Sequence, residues 1–459
     1  MFALLIILVS FTIATVFVGR GFADEGAKSH DTGLRIATFS SDVTPPIGHP
    51  ICAGYCPPTA SIEDSLEAKG VVIEDGDRRY VLCAVDWGGL SNTAFDMFQQ
   101  KIAKAAGTDS QRVAVQCLHL HTAPLADGYA NEMLAKTEKP IAVHDEKFLR
   151  ETTDRLARAV EQSIKRLEPF DSIGVGQAKV DRVASSRRIM VDGRIVVRGS
   201  SGGKDQKMKD LPEGIIDPMV KTVTFARGQK PLARLHYYAT HPQSFYNDGR
   251  ISSDVPGFAR KRIEKKEGVF QVYFTGCGAD VAMGKYNNGS REARDELTDR
   301  LQTGMEAAIA ATKYAPVGPI TWRAAPLLLP LRNTDRYNLK TQRKVLATPS
   351  APKHRRIEAA EYLAFAQRIE RPIIVSSLQM GDVFLLHLPG ETFLEYQLYA
   401  QRTAPHKFVA VAGYGEYDPV YLCTEIAFKE GGYEPTEAMS GPKSEPLTKA
   451  AIRQLLGKK

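Results

Sequence analysis

His119 and His121 stand one residue apart in the stretch "LHLHTAPLADG" (118–128), in a chain with only ten histidines. The run before them, "RVAVQCLHLH", has the composition of a β-strand. Side chains alternate along a strand, so Val113, Val115, Cys117, His119 and His121 are expected on one face. That face starts apolar and turns to imidazole where the strand meets a loop. Two imidazoles there suit a metal ion or a polarised substrate. The plainer alternative is a pair of partly exposed polar residues at a strand end.

Other strand-like runs end in polar loops too. "LARLHYYATHPQSFYNDGRISSD" ends at His241 before Pro242, and its loop carries Asn247, Asp248 and Asp254. "FQVYFTGCGADVAMG" ends in Gly276, Cys277, Gly278 and Asp280. "DVFLLHLPGETF" ends at Pro389 and Gly390, after which Glu391 is expected to open a helix. "FVAVAGYGEYDPVYLCTE" ends in a tyrosine-rich loop. Loops held at strand ends by a rigid sheet are where reactive groups usually sit. His119, His121, His241 and Glu391 are the right types for zinc, which binds imidazoles and a carboxylate and keeps an open position for water. Zinc lowers the pKa of that water to about 7. No HExxH helix joins these residues locally. Each also has an ordinary alternative: Glu391 at a helix N-terminus, His241 in a turn, "GCGAD" as a tight turn.

The elements that must position these groups mix both types. "KGVVIEDGDRRYVLCAVDW" reads as a hairpin turning at Asp75 and Gly76, and "RRIMVDGRIVVRG" as one turning at Asp192 and Gly193. "MVKTVTFARGQKPLARLHYYATH" reads as a third. Helical periodicity marks about 146–167 and 290–312, a further helix near 355–370 and another starting near 391. The expected fold is α/β: mixed, largely antiparallel sheets packed together and covered by helices. No repeat or long linker interrupts it, and "TPSAPKHRR" (348–356) reads as a surface loop. One domain is expected from about 33 to 459.

Hydrophobic residues make up 43% and charged residues 25%, as in globular proteins. The net charge of +7 is small for 459 residues and forms no basic stripe with interleaved aromatics, which argues against nucleic-acid binding. The first 18 residues are uncharged and apolar, and "GRGFADE" follows. Residues 1–23 therefore read as a signal peptide, or as a retained anchor, and place the body outside the cytoplasm, secreted or periplasmic. Export permits disulfides, and Cys52 and Cys56 in "CAGYC" are the expected local pair. Cys83 and Cys117 read as buried thiols.

Taken in order, the motifs resemble the neutral/alkaline (non-lysosomal) ceramidase family. The resemblance is carried by "DVTPPIGHP" (42–50), "HLHTAP" (119–124), "ATHPQS" followed by "SSD" (252–254), "PGE" (389–391), and "VYLCT" (420–424) followed by "EGGYE". It covers about 36 to 435. It implies a zinc-dependent amidohydrolase in which activated water attacks an N-acyl amide such as ceramide, giving sphingosine and a fatty acid. By position it implies His119, His241, Glu391 and Tyr421 as zinc ligands and His121 as a non-ligand that orients or protonates the reacting group. Arg187 is similar to a family arginine that contacts the substrate carbonyl or product carboxylate, with Arg188 its competitor. Asp254 is implied as a partner that orients His241. A lipid amide substrate and association with a membrane surface follow from the same resemblance.

Two departures stand out. Where the family has a serine in a "GDVSP"-like segment, this chain has Ala282 in "ADVAMG", and Cys277 lies nearby. The C-terminal immunoglobulin-like domain of well-known ceramidases has no counterpart after "GGYE". These departures favour two alternatives: a ceramidase-like binding protein without catalysis, or a hydrolase of a different amide or ester.

Overall fold

Tight turns at left-handed residues set up the sheets. Gly76 (φ 57°) reverses the chain between β-strands that pair from Asp75↔Arg78 onwards. Asp192 and Gly193 (φ 48° and 74°) do the same for 188–197, the dihedral signature of a two-residue hairpin. The computed structural model describes residues 33–199 and 205–458; the apolar segment expected as a signal peptide or anchor lies outside them. Among the described residues no helix is long and apolar enough to cross a membrane.

Three sheets carry the fold. The first holds β1 (Leu34–Asp42), β2 (Glu67–Asp75), β3 (Arg78–Val85) and β4 (Val113–Cys117). The second holds β5 (Ser172–Lys179), β6 (Met219–Arg227), β7 (Lys230–Tyr238) and β8 (Phe270–Thr275). The third holds β9 (Ile320–Leu327), β10 (Ile373–Met380), β11 (Val383–His387) and β12 (Phe408–Ala412). Pairing is antiparallel except at β3/β4, β7/β8 and β11/β12, which are parallel. The expected mixed, largely antiparallel α/β architecture is what the chain adopts.

Helices cover these sheets by burying one apolar stripe each. In α1 (Asn92–Ala106) and α2 (Glu146–Ile164) the stripes face each other and the first sheet. Asp145 caps α2 by accepting from Phe148 N, and Phe148, Leu149, Leu156 and Val160 form its buried face. Leu156→Ala there would cost about 2–5 kcal/mol. α3 (Asp254–Glu267) and α4 (Arg291–Ala310) cover the second sheet. Arg260 of α3 ties it to the first sheet: its two Nη atoms reach Asp86 Oδ1 and Oδ2 at 2.8 and 2.9 Å, and Nη2 reaches Glu67 Oε2 at 2.9 Å. α5 (Lys353–Gln367), α6 (Leu394–Thr403) and α7 (Ser444–Leu455) complete the cover. The third sheet buries both faces: Leu385 and Ala410 join the core shared with the first two sheets, while Leu386 and Val411 pack with Ile452 and Leu455 of α7.

Four expectations need correction. β4 stops at Cys117, so strand alternation does not place His119 and His121; His119 adopts φ 64° beyond the strand end. Glu391 does not open a helix: it pairs with Tyr421 in a two-residue parallel bridge, and α6 starts at Leu394. The "KHRR" segment is the first turn of α5, not loop. Cys52 and Cys56 are free buried thiols. The Cys52 thiol donates to His121 O at 3.1 Å, so it is spent on holding the histidine loop.

Candidate metal centre

The parallel pairs matter because their strands all end at one place. β4 runs into His119, β7 into His241, β8 into Gly276–Gly278, β11 into Glu391 and β12 into Tyr414. His241 is fixed by its own backbone, which donates to Val281 O (2.8 Å) and bridges to Ala282. Glu391 is fixed by Gly390, whose φ of 53° turns the chain and whose Cβ position would lie 2.8 Å from Val420 O. The bridge to Tyr421 then sets the carboxylate beside the phenol.

The result is a convergence of nitrogen atoms. His119 Nε2 lies 3.0 Å from His241 Nε2 and 3.2 Å from His121 Nε2, and the latter two are 2.9 Å apart. The other ring nitrogens decide the tautomers. His119 Nδ1 sits 2.7 Å from Gly88 O and His241 Nδ1 3.3 Å from Gly278 O. A carbonyl only accepts, so each Nδ1 carries the proton and each Nε2 presents a lone pair. Glu391 adds a negative oxygen: Oε2 is 3.4 Å from His119 Nε2 and 3.8 Å from His241 Nε2, and it is buried with no hydrogen-bond partner. Its other oxygen accepts from Tyr417 OH at 2.6 Å. Lone pairs and a carboxylate oxygen facing one point repel each other until a cation sits between them. The donor set of imidazoles and carboxylate fits zinc.

The electrostatics agree. Burial, then the neighbouring His119, hold His121 and His241 well below the ordinary imidazole range, with Arg187 adding to both. These rings are therefore neutral, as metal ligands must be. Burial acts against the Glu391 carboxylate, while the Tyr417 hydroxyl and Arg187 act for it. Strain gathers here as well: His119, Tyr414 and Val420 are non-glycine residues at φ 64°, 61° and 52°.

The remaining candidates fall into place around this cluster. Tyr421 is buried, and burial followed by Glu391 raises its phenol well above the usual range. Arg187 stands beside it, donating from Nη1 to Ala279 O (3.0 Å) and pairing with Glu434 (3.2 Å). Arg188 is turned away, bridging Glu430 (3.1 Å) and Glu434 (3.2 Å). Asp254 is buried but its carboxylate accepts from Ser244 N (2.9 Å) and Val255 N (2.7 Å); the His241 ring nitrogen meets Gly278 O instead. Asp254 thus anchors the loop that follows His241. At Ala282 the nearby hydroxyl is Ser185 Oγ, which donates to Ala282 O at 2.8 Å. Cys277 is fully buried, and burial pushes its thiol up, so it offers no nucleophile.

Sequence reasoning missed the residues that hold the ligands. Tyr414 and Tyr417 stack on His119 at centroid distances of 4.5 and 5.5 Å. Gly88 and Gly278 supply the carbonyls, and a Cβ on Gly278 would meet Thr240 C at 3.0 Å. The tyrosine-rich loop was the one visible signal. His119, His121 and Glu391 line a cavity of about 430 Å³ whose walls also include Cys52, Tyr246, Tyr421 and Tyr433, and His241 stands behind them.

The sequence matches no protein-family model and no curated protein. Among solved structures the chain is similar to a neutral ceramidase from Pseudomonas aeruginosa, with a TM-score of 0.67 over 93% of this chain and 75% of that one at 16% identity. The fold is ceramidase-like. A ceramidase complexed with C2 aligns equally well, with a TM-score of 0.66 over 93% of this chain and 76% of the other at 16% identity.

Proposed function

We propose that this ceramidase-like chain is a zinc-dependent hydrolase of N-acyl amides, working outside the cytoplasm. One observation carries the reading: three imidazole Nε2 atoms and the unpartnered Glu391 Oε2 converge, and His119, His121 and Glu391 of that cluster line a substrate-sized cavity. His119, His241 and Glu391 would hold the ion, with Tyr421 at its edge. When bound, zinc supplies Lewis-acid polarisation of an acyl carbonyl and acidifies water.

The protein groups then divide the work. Gly88 and Gly278 keep His119 and His241 in the ligating tautomer. His121 is the least buried of the three histidines and borders the cavity. Its neutral Nε2 takes a proton from the attacking water and delivers it to the leaving nitrogen. The amide C–N bond breaks, the acyl carbon gains the oxygen of water, and the amine leaves protonated. Arg187 is not among the residues lining the cavity, so its part is to orient Tyr421 and stabilise Glu391.

The position of His121 also favours a second reading, in which it is a third imidazole ligand. Both readings meet one experiment: zinc-loaded protein assayed against N-acyl amides of several chain lengths, beside His121→Ala. Hydrolysis by wild type, lost in the variant while zinc stays bound, supports the proton-transfer role. Loss of zinc with the side chain makes His121 a ligand. A zinc-loaded protein that cleaves no amide or ester overturns the hydrolase and leaves a ligand-binding protein.

A further inference from the structure

Above the metal cluster the cavity wall changes character. Its outer part is a network of charged side chains. Arg336 Nη2 donates to Glu358 Oε1 at 2.7 Å and to Glu437 Oε2 at 2.8 Å. Arg355 pairs with the other oxygen of Glu358. Tyr55 donates to Glu361 Oε2 at 2.7 Å, leaving Oε1 of Glu361 with no bond of its own. All these residues line the cavity. The two guanidinium groups balance Glu358 and Glu437, so this wall offers both donors and acceptors without a strong preference for either charge.

Aromatic rings supply most of the remaining lining. Tyr55, Tyr246 and Tyr433 are 39%, 48% and 47% exposed at the cavity, unusual for large side chains, and Tyr337, Tyr417 and Tyr421 stand deeper. A tyrosine presents a flat apolar face with a polar edge. Aliphatic lining is confined to Leu120, Leu125, Val420 and Met439. A long alkyl chain laid in this cavity would strip water from Glu361 Oε1 and return no hydrogen bond. A ring bearing hydroxyls would replace that water group for group.

Resting on the hydrolase reading above, the geometry points to a substrate with a short acyl group on a polyhydroxylated amine, the chemistry of an N-acylated amino sugar, and not to a long-chain N-acyl lipid. The short acyl group lies over the metal cluster. The hydroxylated body lies between the tyrosine faces and the Arg355–Glu358–Glu361 wall. Water cleaves the amide C–N bond, releasing a short carboxylic acid and the free amino sugar.

The test uses the full, zinc-loaded chain and two probes: N-acetylglucosamine oligomers in solution and N-palmitoylsphingosine in detergent micelles. Amine release is followed for both. The expected kcat/KM favours the sugar amide by at least about 100-fold. Glu361→Gln, which keeps side-chain shape, is expected to raise KM for the sugar amide about tenfold at nearly constant kcat, with an unchanged melting curve. Faster cleavage of N-palmitoylsphingosine overturns this assignment while leaving the hydrolase standing. Cleavage of neither probe, nor of any other amide, by protein shown to hold zinc removes both.

Discussion

Arg260 and the histidine cluster are both buried, both polar and both built from residues far apart in sequence, yet their atoms meet in opposite ways. Around Arg260 donors face acceptors. Both oxygens of Asp86 are taken by its fork, Oδ2 accepts also from Glu67 N, and Nε is the one group left over. Around His241 Nε2 stand the lone pair of His119 and the Glu391 carboxylate, and Glu391 Oε2 has no donor at all. Buried polar groups normally come paired. A cluster that is paired holds elements together, whereas one that needs something from outside marks a place where the molecule binds. The Arg260 pair joins α3 to the first sheet; the histidines and Glu391 bring strand ends of three sheets to one point that no protein donor fills.

That contrast can be broken at either end. The largest effect is expected from Asp86→Ala, which removes the carboxylate that holds both Nη atoms of Arg260 and leaves it Glu67 alone, and should cost about 3–5 kcal/mol of stability. Chemical denaturation would measure it, and zinc content of the folded fraction should not change. Next comes His121→Ala, expected to slow amide hydrolysis by about 10²–10³-fold, with little change in melting temperature. The reverse pattern, with Asp86→Ala losing zinc or His121→Ala losing stability, would erase the distinction between the two clusters.

A third buried cluster gives an intermediate case. Asp127, Asp418 and Glu416 share Asn92 and Arg368, whose Nη1 contacts both Glu416 and Asp418. Burial, then Asp418, pushes Asp127 up to about 7 and Glu416 to about 8. Both values lie above those of the unfolded chain, so the folded state keeps protons that the unfolded state gives up. Their contribution to stability is complete below about pH 4 and is lost as pH rises through about 7–8. The melting temperature of metal-free protein should therefore fall between about pH 4 and pH 8 and level off above. No change over that interval would mean that Arg368 dominates and the carboxylates are ionised throughout. The smallest effect is expected from Gly278→Ala. A Cβ 3.0 Å from Thr240 C must shift the carbonyl that holds the His241 ring, weakening zinc binding by about 10–100-fold.

Much of the site was legible because chemistry shows in residue type. His119, His121, His241 and Glu391 could be picked out as ligand-type residues where apolar runs give way to polar loops, and the structure brings them together. What joins them was not legible. Gly88 and Gly278 act through carbonyls that every residue has, and Tyr414 and Tyr417 act by stacking, which leaves no spacing pattern. The hairpins at Gly76 and Asp192–Gly193 were readable from their turn residues, as local dihedral preference decides them. The helix expected from 391 was misplaced because Glu391 is claimed by Tyr421, a partner thirty residues away that no local window contains.

The converging histidines and Glu391 are proposed to form a zinc site. Elemental analysis of purified wild-type protein and His241→Ala tests it most directly. About one zinc per chain is predicted for wild type, and a loss of most of it in the variant, whose circular dichroism should remain that of the folded protein. Wild-type protein that takes up no zinc on supplementation, or a variant that retains it in full, would contradict the claim.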